Sequence, residues 1–148
     1  MPEKSYHRSI AARALVPGSA RGKALVSSEP LSLWGGLDPN TGEIVDRRHP
    51  LSGENAAGRV LVLPSTRGSS TTTAILLEAV RTGKAPAAIV SRGDDAFFAL
   101  ASIVADEMYG KPIPIFSVSA EDFASLRTGQ LITLEESGTI RLEDAGEA

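Results

Sequence analysis

Residues Arg59-Val60-Leu61-Val62-Leu63 form a nearly continuous apolar run that Pro64 closes. A strand of this kind offers no polar face to water, so it must be covered on both sides. The residues that follow supply the covers. Residues 71–81 read as a helix with Ile75, Leu76, Ala79 and Val80 on one stripe and Gly83 as its stop. Residues 87–90 are a second short apolar strand. Residues 94–109 are a second helix with Phe97, Leu100, Ala101, Val104 and Met108 on one face, and Phe97 and Phe98 both read as core, with Gly110 and Pro112 ending it. Residues 113–118 are a third strand. The order β-α-β-α-β requires parallel strands joined by crossovers.

Around this core the sequence is all β or irregular. Pro17-Gly18 is a turn signal between two β-prone pieces, the second at 23–27. Residues 30–58 are rich in turn residues, and only 43–46 reads as a strand there. So long an irregular stretch in a compact domain is usually functional or disordered, and Trp34 argues for order. Ser119 heads a short helix with Asp122 placed as in a capping box. Residues 130–134 and 139–142 form a closing hairpin. The expected fold is α/β: a small parallel core of three strands with a second β layer from the first half and the hairpin. Residues 1–9 are expected to be a flexible N-terminal tail and 143–148 an acidic C-terminal tail.

The chain has 148 residues and no Cys, with 15 basic and 18 acidic side chains. That length suits one domain able to bury a core without staples. Without Cys there is no disulfide, no thiolate nucleophile and no thiolate ligand for zinc or iron–sulfur in this chain. A net charge of −3 gives no reason to expect nucleic acid or an anionic membrane as partner. No apolar run approaches the roughly 18 residues of a spanning helix, and residues 1–10 lack a signal-like apolar core. A cytoplasmic location is the expectation.

The chemistry concentrates in Ser65-Thr66-Arg67-Gly68-Ser69-Ser70-Thr71. The segment leaves the carboxyl end of the first core strand and opens a helix, where ligands bind in open α/β sheets. A helix N-terminus offers unpaired N–H groups and the positive end of a dipole. Arg67 can hold a carboxylate through two parallel hydrogen bonds, and Gly68 lets the backbone approach closely. One hydroxyl of 69–71 serves as an ordinary N-cap, and the rest exceed that need. The segment is not a phosphate-binding P-loop, because no second Gly is followed by Lys-Ser/Thr. His7 reads as inert. His49, in the irregular stretch, reads more readily as structural than as a site residue. Asp94 and Asp95 are placed to cap the second helix. No His and carboxylate set has metal-ligand spacing, so no metal site is assigned.

The order of G-K-A-L-V-S-S-E-P-L-S-L-W-G-G-L-D-P-N-T-G-E-I-V-D, H-P-L-S-G, V-L-V-L-P-S-T-R-G-S-S and G-K-A-P-A-A-I-V resembles the small, swivel-domain subunit of the aconitase X dehydratases. The resemblance covers about residues 10–142 and implies a swivelling β/β/α domain. It implies the lyase (hydro-lyase) chemistry of a heterodimer, the dehydration of a small hydroxy acid. Matching the family's loop to Ser65-Thr66-Arg67 makes Ser65 the base that takes a proton from substrate carbon and Arg67 the holder of the substrate carboxylate. Thr66, Gly68, Ser69 and Ser70 complete the substrate-binding loop. A serine alkoxide at neutral pH needs nearby cations and N–H donors to lower its pKa.

The resemblance further implies a large catalytic subunit as partner. That subunit would carry the iron–sulfur cluster or iron, with none bound by this chain, which alone should be inactive and colourless. The substrate it suggests is cis-3-hydroxy-L-proline, with mevalonate 5-phosphate as the alternative. A third reading is a non-catalytic module that binds an anion or metabolite at the same loop. The irregular stretch 31–58, with Leu31, Leu33, Trp34, Leu37 and Leu51, is the expected subunit interface.

Overall fold

The structure, a computed structural model, describes residues 7–66 and 71–143. Eight strands and three helices follow one another as β1 (His7–Ala11), β2 (Arg13–Val16), β3 (Ala20–Val26), β4 (Val60–Leu63), α1 (Thr71–Thr82), β5 (Ala88–Arg92), α2 (Ala96–Tyr109), β6 (Ile115–Val118), α3 (Ala120–Ala124), β7 (Leu131–Leu134) and β8 (Thr139–Glu143). The strands hydrogen-bond in the order β1-β8-β7-β3-β4-β5-β6-β2. Strands β3 to β6 run parallel, so the parallel core has four strands rather than the three expected.

The extra strand is the hinge of the architecture. Residues Ala20 to Lys23 of β3 pair antiparallel with β7, while Ala24 to Val26 pair parallel with β4. One strand therefore belongs to both layers. Gly22 lies where they meet: a Cβ there would sit 2.8 Å from the carbonyl oxygen of Gly58 and 3.4 Å from Cα of Arg59. Only Gly lets the chain entering β4 pass this closely.

Side-chain alternation along β4 explains its apolar run. Leu61 and Leu63 join a core with Leu25, Ile89 and Ile115 against Leu76 and Val80 of α1 and Phe98, Ala101 and Ala105 of α2. Val60 and Val62 face the other way, with Val90 and Phe116, against Ile10, Ile132, Leu134, Ile140 and Leu142 of the antiparallel strands. The β/β/α layering is the expected one.

Two local expectations change. β1 begins at His7, inside the stretch expected to be a tail, and pairs with β8 as far as Glu143. An edge strand held by backbone bonds needs few apolar residues, and in β1 Ile10 points into the core. Residues 43–46 form isolated bridges, Leu37 with Ile44 and Glu43 with Asn55, not a strand. The stretch around them is ordered because Leu31, Leu33, Leu37, Ile44 and Leu51 are buried in the helix-side core.

The largest correction concerns α2. Its buried residues are Phe98, Ala101, Ser102 and Ala105. Phe97, expected in the core, is exposed, as are Leu100 and Met108 of the same face. Small residues at 101, 102 and 105, behind the single large Phe98, let the helix lie close to the sheet and α1, and the other large apolar residues turn outward.

Candidate active-site edge

Parallel strands end at one edge of their sheet, so the carboxyl ends of β3, β4, β5 and β6 gather Ser27, Ser65, Gly93 and Ser119 on one side. The Ser65–Thr66 segment leaves β4 there. Ser65 is half-buried, and its Oγ makes no hydrogen bond to a described residue. Thr66 is buried and held from two sides. It forms a parallel bridge with Leu31. Its backbone N–H donates to Oδ2 of Asp95 at 2.8 Å and its Oγ1 donates to the same oxygen at 3.2 Å. Arg67, Gly68, Ser69 and Ser70 lie outside the described residues, as does the cap of α1.

Asp95 does two things at once. Its Oδ1 accepts from the N–H groups of Phe97 and Phe98 and so caps α2, as expected. Its Oδ2 pins Thr66. A buried carboxylate accepting four hydrogen bonds at a helix N-terminus is well solvated by the protein. Sequence reasoning found the cap and missed the clamp. The one available signal was the Asp pair itself, since a helix needs one cap. The other member, Asp94, pairs with Arg13 at 3.1 Å and accepts from Ser117 Oγ at 2.8 Å, tying β2 and β6 to the same edge.

The irregular stretch holds a groove of about 700 Å³, lined by Glu29, Pro30, Ser32, Arg47, Arg48 and His49 among others. Pro30 and Ser32 flank Leu31, the residue that bridges Thr66, but neither Ser65 nor Thr66 lines the groove. The Arg47 and Arg48 guanidinium groups make no ion pair with a described residue. The buried His49 ring accepts from Leu51 N–H at Nδ1 (3.1 Å), which leaves Nε2–H to donate to the Glu29 carbonyl at 3.3 Å. Both ring nitrogens are thus engaged in holding loops together, and His49 is structural. Trp34 is 64% exposed, whereas the four leucines grouped with it as an interface are buried in this chain's own core. Among the described residues no group of three His, Asp or Glu could hold a metal, and no helix is long and apolar enough to cross a membrane.

A β/β/α layered domain with a hydroxyl-bearing loop pinned at the carboxyl edge of a parallel sheet is the class of a swivel domain. The chain matches the family model of the aconitase X swivel domain over residues 9–142 and belongs to that family. It is 49% identical to the cis-3-hydroxy-L-proline dehydratase of Pseudomonas aeruginosa over 106 residues, 72% of this chain and 18% of that protein. It is 40% identical to the phosphomevalonate dehydratase small subunit of Methanopyrus kandleri over 121 residues, 81% of this chain and 85% of that one. The crystal structure of Thermococcus kodakaraensis aconitase X in its holo form superposes with a TM-score of 0.81 at 30% identity, covering 91% of this chain and 98% of that one. The chain spans less than a quarter of the length of the hydroxyproline dehydratases it matches.

Proposed function

We propose that this chain is the swivel subunit of a two-part aconitase X-type hydro-lyase that dehydrates a small hydroxy acid, cis-3-hydroxy-L-proline first among them. The observation that carries this reading is the loop: Ser65 stands at the carboxyl edge of the sheet with a hydroxyl that bonds to no described residue, while Thr66 beside it is locked to Asp95 and Leu31. The 49% identity to a cis-3-hydroxy-L-proline dehydratase supports the substrate.

In this reading Ser65, as alkoxide, takes the proton from the carbon that bears the carboxylate, and Arg67 grips that carboxylate with its planar fork. The C–H electron pair becomes the new C=C bond, and the neighbouring hydroxyl leaves as water once protonated. Thr66 fixes the backbone from which Ser65 projects, and Gly68, Ser69 and Ser70 offer N–H and O–H donors to the substrate and the alkoxide. The described residues and the Cys-free sequence do not fit an iron–sulfur cluster or iron as ligands, so ligands for such a group belong to the large subunit.

The test is co-expression with the large subunit and assay of both substrates. Ser65→Ala should lower turnover at least about a hundredfold with little change in KM. Arg67→Lys should raise KM and lower turnover together, because lysine keeps the charge and loses the fork. Near wild-type turnover in Ser65→Ala overturns the assignment. A second reading, mevalonate 5-phosphate as substrate, is favoured by Arg47 and Arg48, which line the groove and form no ion pair with a described residue, and by the 40% identity to a phosphomevalonate dehydratase small subunit. Turnover of the phosphorylated substrate and not of the imino acid selects it. Micromolar metabolite binding by the lone chain would favour the non-catalytic module instead.

A further inference from the structure

Helix α2 is apolar around most of its circumference. Phe98, Ala101 and Ala105 face the core, and Phe97, Leu100, Ile103 and Met108 face outward, each between 39% and 59% exposed. A helix apolar on all sides belongs inside a larger body. Fourteen residues are too few to cross a bilayer. At 100° per residue Ile103, Leu100, Val104, Phe97 and Met108 share one arc. Glu107, toward its C-terminal end, interrupts the arc between Ile103 and Leu100, so the apolar side chains form a stripe along the first turns of the helix.

The stripe has a fixed relation to the site. Asp95, which precedes α2, holds Thr66, and Phe97 opens the stripe two residues later. A body seated on the first turns of α2 therefore stands beside the Ser65 loop. In the Pseudomonas dehydratase the matched region is 18% of the protein, so that protein carries a far larger remainder for such a domain to pack on.

We infer that the outward face of α2 is the docking surface for the large catalytic subunit, with Leu100 and Ile103 as its central anchors; this rests on the reading of the chain as a swivel subunit. The occupant presents an apolar groove to Phe97, Leu100 and Ile103. Near Met108 it presents basic groups, because Asp106 and Glu107 are exposed there. Docking on α2 would face the partner's half of the site toward Ser65.

Two measurements on the full chain and its large subunit test this. In the first, oxidative footprinting with peptide mass spectrometry follows Met108 in the wild-type chain, alone and in complex. The expected result is ready oxidation alone and strong protection in the complex. In the second, Leu100→Glu with Ile103→Glu should weaken association about thirtyfold or more, the scale of interface anchors. The melting temperature of the lone variant should stay near wild type, since both side chains already meet solvent. Equal oxidation of Met108 in both states overturns the inference even if the charged variant fails to fold. So does unchanged affinity in a folded variant. Protection of Met108 in the lone chain, with a dimer in sedimentation, makes the occupant a second copy and also overturns it. If the wild-type chains do not associate at all, the parent reading falls, a result distinct from association with α2 left bare.

Discussion

Replacing Asp95 separates the two tasks of its carboxylate. In Asp95→Ala the α2 cap is lost, worth about 1 kcal/mol. The Thr66 N–H and hydroxyl are left in a buried site with no acceptor, at about 1–3 kcal/mol for the group. Relief of the buried charge offsets part of this, so the whole substitution should cost about 2–4 kcal/mol. Asp95→Asn is the sharper probe, because Asn caps as well as Asp. If its oxygen keeps Phe97 and Phe98, its NH₂ group meets the Thr66 N–H, donor against donor. If it flips, the loop is held and the cap fails. Either way at least one bond is lost, the Thr66 N–H in the first case (its hydroxyl can turn to accept from the NH₂) and both cap bonds in the second, for about 1–2 kcal/mol. In a chain of this size that lowers Tm by roughly 3–8 °C. On the proposed hydro-lyase reading, turnover of the assembled enzyme, measured well below that Tm, should fall about tenfold to a hundredfold, because Ser65 sits one residue from the released anchor. KM should move less than turnover if Arg67 still holds the carboxylate. Lowered Tm with wild-type turnover would show that Asp95 stabilises the fold without positioning the loop. Unchanged Tm and turnover would refute the clamp itself.

Gly22→Ala should destabilise the chain by at least about 1 kcal/mol in urea unfolding, because its Cβ would meet the Gly58 carbonyl 2.8 Å away, backbone that cannot step aside cheaply. Ser102→Ala should cost about 1–3 kcal/mol, since Ser102 Oγ both donates to the Ile113 carbonyl and accepts from the Ile113 N–H in a buried site. Trp34→Ala should change the stability of the isolated chain by less than about 0.5 kcal/mol, read by thermal melting, because the ring lies largely in solvent.

The parallel core was legible because its signals are local. The apolar run of β4 can only be a doubly covered strand, and Gly83 and Gly110, both at positive φ, stop α1 and α2 where expected. β3 was not legible as a shared strand. Its residues, A-R-G-K-A-L-V, alternate while they serve the antiparallel layer and turn apolar where they enter the parallel one. That change of pattern halfway along one strand is the record of two different neighbours, and reading it requires knowing both. β1 was missed for the opposite reason: at the end of the sheet, backbone pairing with β8 holds it while Arg8 and Ser9 face water.

The candidate site divides along the same line. That a hydroxyl-rich loop at a strand-to-helix junction would face the carboxyl edge followed from topology, and β4 delivers Ser65 there. What holds the loop did not follow, because Asp95 is 29 residues from Thr66 and only the packing of α2 brings them together. The misreading of α2 has a different cause. Two apolar stripes are written on one helix: Phe97, Leu100, Val104 and Met108 on one, Phe98, Ala101 and Ala105 on the other. A lone domain can bury only one, and close approach to the sheet selects the stripe in which Phe98 is the one large residue and the rest are small. The stripe of large residues is then surplus to this fold. Exposed apolar side chains of that number carry a cost in solubility, and here they stand beside the candidate loop. The surplus is intelligible if the hydrophobic core continues past this chain, with α2 as the wall the two bodies share.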